Sequence, residues 1–396
     1  YNRVNCVYGV PRVHVESQTK FKFGTSRYSG VNTSIDGTDL TAMDAAVGIL
    51  DFAPTRYLPS VEANGSLKVA GGILWDYSGD YFKEDNFFWH PEIVTASDAA
   101  GGLSGIFTYR AIYEWVDHNG KVQRSAPSEP LVTGNLSSKK VSVYIYNLHV
   151  THKRDATTLL NPGGIAAVNQ GARSEVKIVL YRTEASGSLY HRCAEVLMEY
   201  GNRYQIIEDN LSDADLVDNP FLYTTGGVAA NICPPSQYDI ALFKDRIFLA
   251  TTENTVWFSK RFTEGRETGF SDDFAQSVDN KAEKIQAICP NLEHILILGE
   301  KNGYYMSGDG PSSTGAGPGF SPLRIFAPGQ GAIEGTCRVE TPKGVFFQTD
   351  QGLVLCGRNM QVSHKGAMIE DLITSTNYAI DGHVFDKDHE VRFLLA

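Results

Sequence analysis

A short hairpin, its strands rich in aromatic and β-branched residues, recurs along this chain and limits the fold more than any other feature. The clearest copy spans 344–355, where Val345-Phe346-Phe347 and Leu353-Val354-Leu355 flank a Thr349-Asp350-Gln351-Gly352 turn. Two apolar runs on either side of a tight polar turn specify antiparallel pairing. Looser copies are 246–250 before 255–258, and 295–298 before 303–306, with a fainter one at 72–81. A supersecondary unit returning about every 50 residues is the pattern of propeller blades, each of which buries its faces against its neighbours.

Between about 103 and 226 the texture changes. Residues 107–116 alternate apolar with polar side chains, Asp117-His118-Asn119-Gly120 reads as a turn, and the Pro-rich stretch 125–130 leads into a strand at 140–146. Further period-two segments lie at 176–184 and 203–209, so the block reads as a β-sandwich of about 120 residues. It carries a long insertion, 149–174, containing Asn161-Pro162-Gly163-Gly164; such a length in a compact domain implies mobility or a contact role. The hairpin texture then resumes. The expected fold is therefore all-β: a β-propeller interrupted by an inserted fibronectin/Ig-like β-sandwich. Residues 1–102 form the first blades, 103–226 the insertion and 227–396 the remaining blades. At 40 to 50 residues per blade, the part outside the insertion supplies about five or six blades. One brief helical turn is expected at 41–48, closed by Gly48 and Pro54. The first residue, Tyr1, and the strand-like ending at 391–396 read as cuts from a larger polypeptide, truncated at its C-terminus.

A formal charge of −11 argues against a sequence-reading nucleic-acid binder, which needs a basic face to neutralise phosphates. Short basic clusters, His152-Lys153-Arg154 and Lys139-Lys140, read as solvated loop charges. No stretch approaches the roughly 20 apolar residues that cross a bilayer as a helix. The six cysteines (Cys6, Cys193, Cys233, Cys289, Cys337 and Cys356) have no CxxC pair and no ligand-like spacing to histidine, so buried free thiols are expected.

Chemistry is hard to place. The Gly-rich stretch 308–319 lacks the Lys-Ser or Lys-Thr that opens a phosphate-binding helix, and two prolines interrupt it, so an exposed loop is expected. The acidic run Asp209, Asp213, Asp215 and Asp218 has no glycine at its turn, and Ser212-Asp213 reads as a turn or helix cap in preference to a calcium loop. The segment 386–390 reads as a hairpin turn. Neither a Gly-x-Ser-x-Gly elbow nor an HExxH helix occurs. Glu253, Glu264, Glu267, Asp272 and Asp273 are the carboxylates to consider for glycosidase chemistry, but 46 acidic residues offer such groupings by chance. The four tryptophans (Trp75, Trp89, Trp115 and Trp257) read as packing residues. Neither an enzyme nor a cofactor or metal is expected.

Several segments resemble a known family. Tyr109-Arg110 through Glu129-Pro130, followed by 180–184, resembles the fibronectin-type sandwich found inside bacteriophage tail proteins. Residues 238–248, Val256-Trp257-Phe258-Ser259-Lys260, 304–311, Gly329-Gln330-Gly331, 341–347 and 350–353 resemble the blades of tail-nozzle or tail-stabilisation proteins. The resemblance covers about 300 residues in texture and order. It implies a virion protein of a short-tailed phage that forms a ring, typically of six copies, beneath the tail adaptor ring and in contact with other tail proteins. The genomic DNA would pass through without specific binding. An acidic wall suits such a conduit, because it repels phosphates at short range and is screened beyond roughly 8 Å. Loops 149–174 and 308–320 are candidates for inter-subunit contact or channel constriction. The alternatives are a propeller glycosidase or lyase, whose carboxylates must converge on a pocket, and a host-binding adhesin, which would expose aromatic patches on the sandwich.

Overall fold

The computed structural model describes residues 14–17, 20–23, 48–51, 59–77, 82–117, 119–146, 175–199, 204–278, 283–333, 338–365, 379–385 and 390–395. The helical turn expected at 41–48, the insertion 149–174 and the turn at 386–389 fall in or largely in segments outside these. The fold is all-β, its named strands pair antiparallel, and among the described residues none of the sheets closes into a barrel.

A three-stranded sheet comes first, from β1 (His14–Ser17), β2 (Lys20–Phe23) and β3 (Gly48–Asp51). A four-stranded meander follows, formed by β4 (Ser60–Ala63), β5 (Ser66–Val69), β6 (Trp75–Tyr77) and β7 (Phe82–Glu84). Next come β8 (Glu92–Gly105), β9 (Thr108–Val116), β10 (Val122–Arg124), β11 (Leu131–Val132), β12 (Leu136–Tyr146), β13 (Lys177–Thr183), β14 (Tyr190–Leu197) and β15 (Tyr204–Asp209). They make two sheets, ordered β10-β9-β13-β14 with β11 also on β9, and β15-β12-β8. A single-turn helix, α1 (Asp213–Leu216), ends this region.

Three more meanders complete the sequence of sheets. The second contains β16 (Gln237–Phe243), β17 (Arg246–Thr251), β18 (Thr255–Phe258) and β19 (Ala275–Ser277). The third contains β20 (Ile285–Asn291), β21 (His294–Gly299), β22 (Gly303–Ser307) and β23 (Arg324–Ala327). The fourth contains β24 (Arg338–Thr341), β25 (Gly344–Thr349), β26 (Gly352–Gly357) and β27 (Val362–His364), and a hairpin of β28 (Ala379–Phe385) and β29 (Glu390–Leu395) follows.

The clearest hairpin of the sequence is β25–β26, paired from Gly344↔Gly357 to Thr349↔Gly352 around Asp350-Gln351. The looser copies are β17–β18 and β21–β22. The faint copy at 72–81 is displaced by one strand: its paired segments are β6 and β7, the third and fourth strands of their meander, with Tyr77 opposite Phe82. Local turn chemistry sets two of the reversals. Asn64-Gly65 takes φ of 52° and 70°, as an Asn-Gly hairpin requires. Lys244-Asp245 does the same at 47° and 57° without glycine, and the Lys244 ammonium is held by Glu293 and Asp309, each at 2.9 Å.

Successive meanders share cores. Ala63, Ala70 and Leu74 of the first pack with Ile240, Ile247, Leu249 and Trp257 of the second. The other face of the second, with Phe243, Phe248 and Phe258, meets Ile288, Ile295, Ile297 and Met306 of the third. The third's remaining face, Ala287, Cys289, Leu296 and Leu298, meets Val345, Phe347 and Val354 of the fourth. A strand covered on both faces needs no polar alternation, which is why Ile295-Leu296-Ile297-Leu298 is continuous and fully buried. The first strands of the last three meanders are also stitched together. Asp239 on β16 accepts the Ile288 N–H of β20 at 2.6 Å and pairs with Arg338 of β24 at 2.6 Å.

The two sheets of 92–209 face each other over Tyr109, Tyr113, Trp115, Ile178 and Leu180 on one side and Val141, Val143, Ile145 and Ile207 on the other. Strand β8 begins at Glu92, so this unit starts before residue 103. Its Ala-Ser-Asp-Ala-Ala-Gly-Gly stretch has low strand propensity, and it forms a strand because β12 pairs with it along a sheet edge. Lys139 and Lys140 are not loop charges but residues of β12, paired with Asp98 at 3.0 Å and Glu208 at 2.9 Å.

Candidate functional site: a buried charge cluster

Pairing register builds the densest group of ionisable side chains. In the first meander Lys68 of β5 lies opposite Asp76 of β6, and Asp76 lies opposite Lys83 of β7. Three charges thus fall in one row across the sheet. Asp85 follows β7, and Glu267 arrives from the connection between β18 and β19. The Lys68 Nζ lies 2.9 Å from Asp76, 2.9 Å from Asp85 and 3.3 Å from Glu267. Lys83 Nζ lies 2.7 Å from Asp76 and 3.0 Å from Glu267. None of the five side chains is more than 1% exposed.

The connection that carries Glu267 is fixed by its neighbours. Val122 donates to the Gly265 carbonyl at 3.1 Å, and the Glu267 N–H donates to the Val122 carbonyl at 3.2 Å. The Asn64 and Asn86 amides donate to the Arg266 and Thr268 carbonyls, each at 2.8 Å. From the 92–209 unit, Trp115 sets its ring 5.0 Å from the Lys83 ammonium. The Asp117 carboxyl accepts the N–H groups of Asn119 and Lys121 through Oδ1 at 2.9 and 2.8 Å, and its buried Oδ2 has no donor among the described residues.

Burial and ion pairing compete here. Burial pushes the Asp76 carboxyl up, but Lys68 and Lys83 together outweigh it and hold it well below the usual carboxylate range. Glu267 is pushed up by burial and by Asp76, yet the two lysines bring it down to about 2. At Asp85 burial wins over Lys68, and its carboxyl is raised to about 6. Burial would lower both lysines; the surrounding carboxylates raise them instead, so both stay charged. Oxygens of Asp76, Asp85 and Glu267 lie within 4.8 Å of one another, a spacing that suits a hard cation. The two ammoniums, however, already sit among them. Protonated lysines supply no base or nucleophile, so the arrangement can neutralise charge and bind three chain segments together.

The carboxylates considered for glycosidase chemistry are not brought together. Glu267 belongs to the cluster, whereas Glu253, Glu264, Asp272 and Asp273 are exposed. In the acidic run, Ser212 caps α1 and the buried Arg182 takes Asp209 and Asp213, each at 2.8 Å, while Tyr109 donates to Asp209 at 2.7 Å. The Gly-rich stretch links β22 and β23 without a helix. Lys244 holds its Asp309, Arg246 donates to the Pro311 carbonyl, and Phe320 packs 4.9 Å from Phe258. Trp115 and Trp257 are buried, but Trp89, read as a packing residue, is 61% exposed beside the exposed Phe88. Cys193, Cys233, Cys289 and Cys356 are free thiols; Cys6 and Cys337 lie outside the described residues.

The charge cluster itself was not read from the sequence. Nothing local signals it: Ser66-Leu67-Lys68-Val69 alternates polar with apolar residues, yet every position of that strand is buried.

No protein-family model matches the chain, and no curated protein matches it. Among solved structures it is similar to the extracellular domain of a protein assigned as a one-component system, BT4673, of B. thetaiotaomicron. Identity is 10% and the TM-score 0.26, with 85% of this chain and 36% of that one covered, so the chain spans about a third of that structure. At that score the likeness carries no argument. No helix among the described residues is long and apolar enough to cross a membrane.

Proposed function

We propose that this chain is a structural subunit of a bacteriophage tail nozzle: a propeller interrupted by a fibronectin-like sandwich, acting by assembly and without catalysis. On this reading about six copies form a ring around the channel through which the genome leaves. One observation carries it. Four-stranded meanders follow one another with shared cores, the first strands of the last three stitched through Asp239, and the paired sheets of 92–209 interrupt that series between β7 and β16. The resemblance of the sequence to tail proteins implies this order. Burial of the most concentrated ionisable groups in ion pairs of the fold also favours a scaffold over an enzyme.

Mass measurement of the purified protein with negative-stain imaging tests the proposal. A ring of about six subunits with a central hole, and no retention on DNA at physiological salt, is expected. A monomer that turns over a glycan would overturn it. A second reading, a host-surface adhesin of the tail, is favoured by the outer face of β15-β12-β8. Tyr204 and Ile206 are 51% and 46% exposed there, and the Tyr144 and Tyr204 rings lie 6.1 Å apart. Host-cell binding lost in Tyr204→Ala, with the assembly state unchanged, would select it.

A further inference from the structure

Four carboxyls and two ammoniums share one dry pocket: Asp76, Asp85, Asp117 and Glu267 against Lys68 and Lys83. Fully ionised, the pocket would hold two uncompensated negative charges. Each such charge, removed from water, costs several kcal/mol, so the group takes up protons where its pairing is weakest. Two places stand out. Asp85 is fully buried and meets Lys68 through Oδ1, while its Oδ2 reaches no donor among the described residues. Asp117, 5% exposed, spends Oδ1 on the N–H groups of Asn119 and Lys121, and its buried Oδ2 reaches no donor among the described residues.

The pocket lies where three parts of the chain meet. The first meander contributes Lys68, Asp76, Lys83 and Asp85, the second contributes Glu267, and the 92–209 unit contributes Trp115 and Asp117. Charges facing it from the surrounding elements are engaged elsewhere. Lys121 donates to the Asn64 carbonyl, Arg124 pairs with Glu114 at 2.8 Å, and Arg266 and Glu264 point to solvent. Glu84, 7% exposed, lies in the row of Val69 and Trp75, on the other face of that sheet.

We propose that this pocket is a proton-operated clasp: protons on Asp85 and Asp117 hold the 92–209 unit against the meanders, and their loss loosens that junction. Burial, the main cause at both sites, raises the Asp85 and Asp117 carboxyls, Asp85 to about 6. A raised carboxyl contributes its stabilisation below the ordinary value near 4 and loses it as pH rises through about 6. Asp76 and Glu267 are depressed, so their contribution is present above that ordinary value and fails as pH falls toward about 2. Together they place the tightest clasp between about pH 4 and 6.

Hydrogen exchange on the full chain at pH 5.5 and 8, corrected for intrinsic rates, reads this at the Val122 and Glu267 amides that cross the junction, with β21 amides as the control. Protection at the junction is expected to fall severalfold at pH 8, a single proton on a group near 6 supplying at most about fourfold between these two pH values, while β21 is unchanged. In Asp85→Asn the difference between the two pH values should shrink severalfold, and Asp117→Asn should act in the same direction. Equal junction protection in the wild type at both pH values would overturn the proposal, as would an undiminished difference in whichever of the two variants folds.

Discussion

Replacing Lys68 by methionine removes three ion pairs at once, of 2.9, 2.9 and 3.3 Å, and leaves the pocket with one ammonium. Asp76 and Glu267 keep Lys83 at 2.7 and 3.0 Å, but Asp85 loses its ammonium partner. Its simplest response is to hold a proton at neutral pH; with Asp85 already at about 6, that costs one pKa unit at pH 7, or about 1.4 kcal/mol. Glu267 then shares Lys83 with Asp76 and climbs from about 2 toward its ordinary value near 4.3, a further cost of up to about 3 kcal/mol. The total, about 1 to 4 kcal/mol, reaches into the range that breaking a buried ion pair usually costs. Urea unfolding at pH 7, followed through tryptophan emission, measures it, and Trp115 beside Lys83 reports on the pocket directly. At pH 5 the loss should be smaller by about 1.4 kcal/mol, because Asp85 is by then protonated in both proteins. The double variant Lys68→Met/Asp85→Asn should recover a similar amount at pH 7. A single-variant loss below about 1 kcal/mol, or a double variant no more stable than the single, would refute the argument that the lysine neutralises a dry pocket.

Arg182 spans Asp209 and Asp213 and lies 4.5 Å from the Phe107 ring, so Arg182→Lys, which keeps the charge but not the fork, should lower stability by about 2 kcal/mol in thermal unfolding, and Arg182→Met by more. Gly344 has φ of 142°, and a Cβ there would run into the Cys356 carbonyl; Gly344→Ala should cost about 3 kcal/mol by denaturant midpoint. Gly315, at φ of 75° with open space around it, should cost only about 1 kcal/mol on the same substitution. Calorimetry of Glu267→Gln should show lower stability at pH 7 and a flatter loss on acidification between about pH 4 and 2, because the depressed carboxyl that titrates there is gone.

Legibility followed the range of the forces involved. Hairpin β25–β26 could be read from 344–355 because two apolar runs and a tight turn are local properties. The Ser212 cap was legible for the same reason, since the Asp215 N–H it accepts is three residues away. Strand β8 was not, because its small polar residues have little strand preference until β12 pairs with them. Trp89 was misread because an aromatic residue beside predicted strands carries no mark of which way it faces.

What the amino-acid sequence determined by itself is the run of antiparallel hairpins and the change of texture between them, both written in side-chain alternation and turn residues. The tertiary structure alone decided where the charges go. Lys68 and Glu267 are 199 positions apart, and nothing near either one announces the other. A buried charge is tolerable only once its partners arrive, so the same folding that stacks the meanders turns Glu267 from one of 46 acids into a member of a sealed cluster.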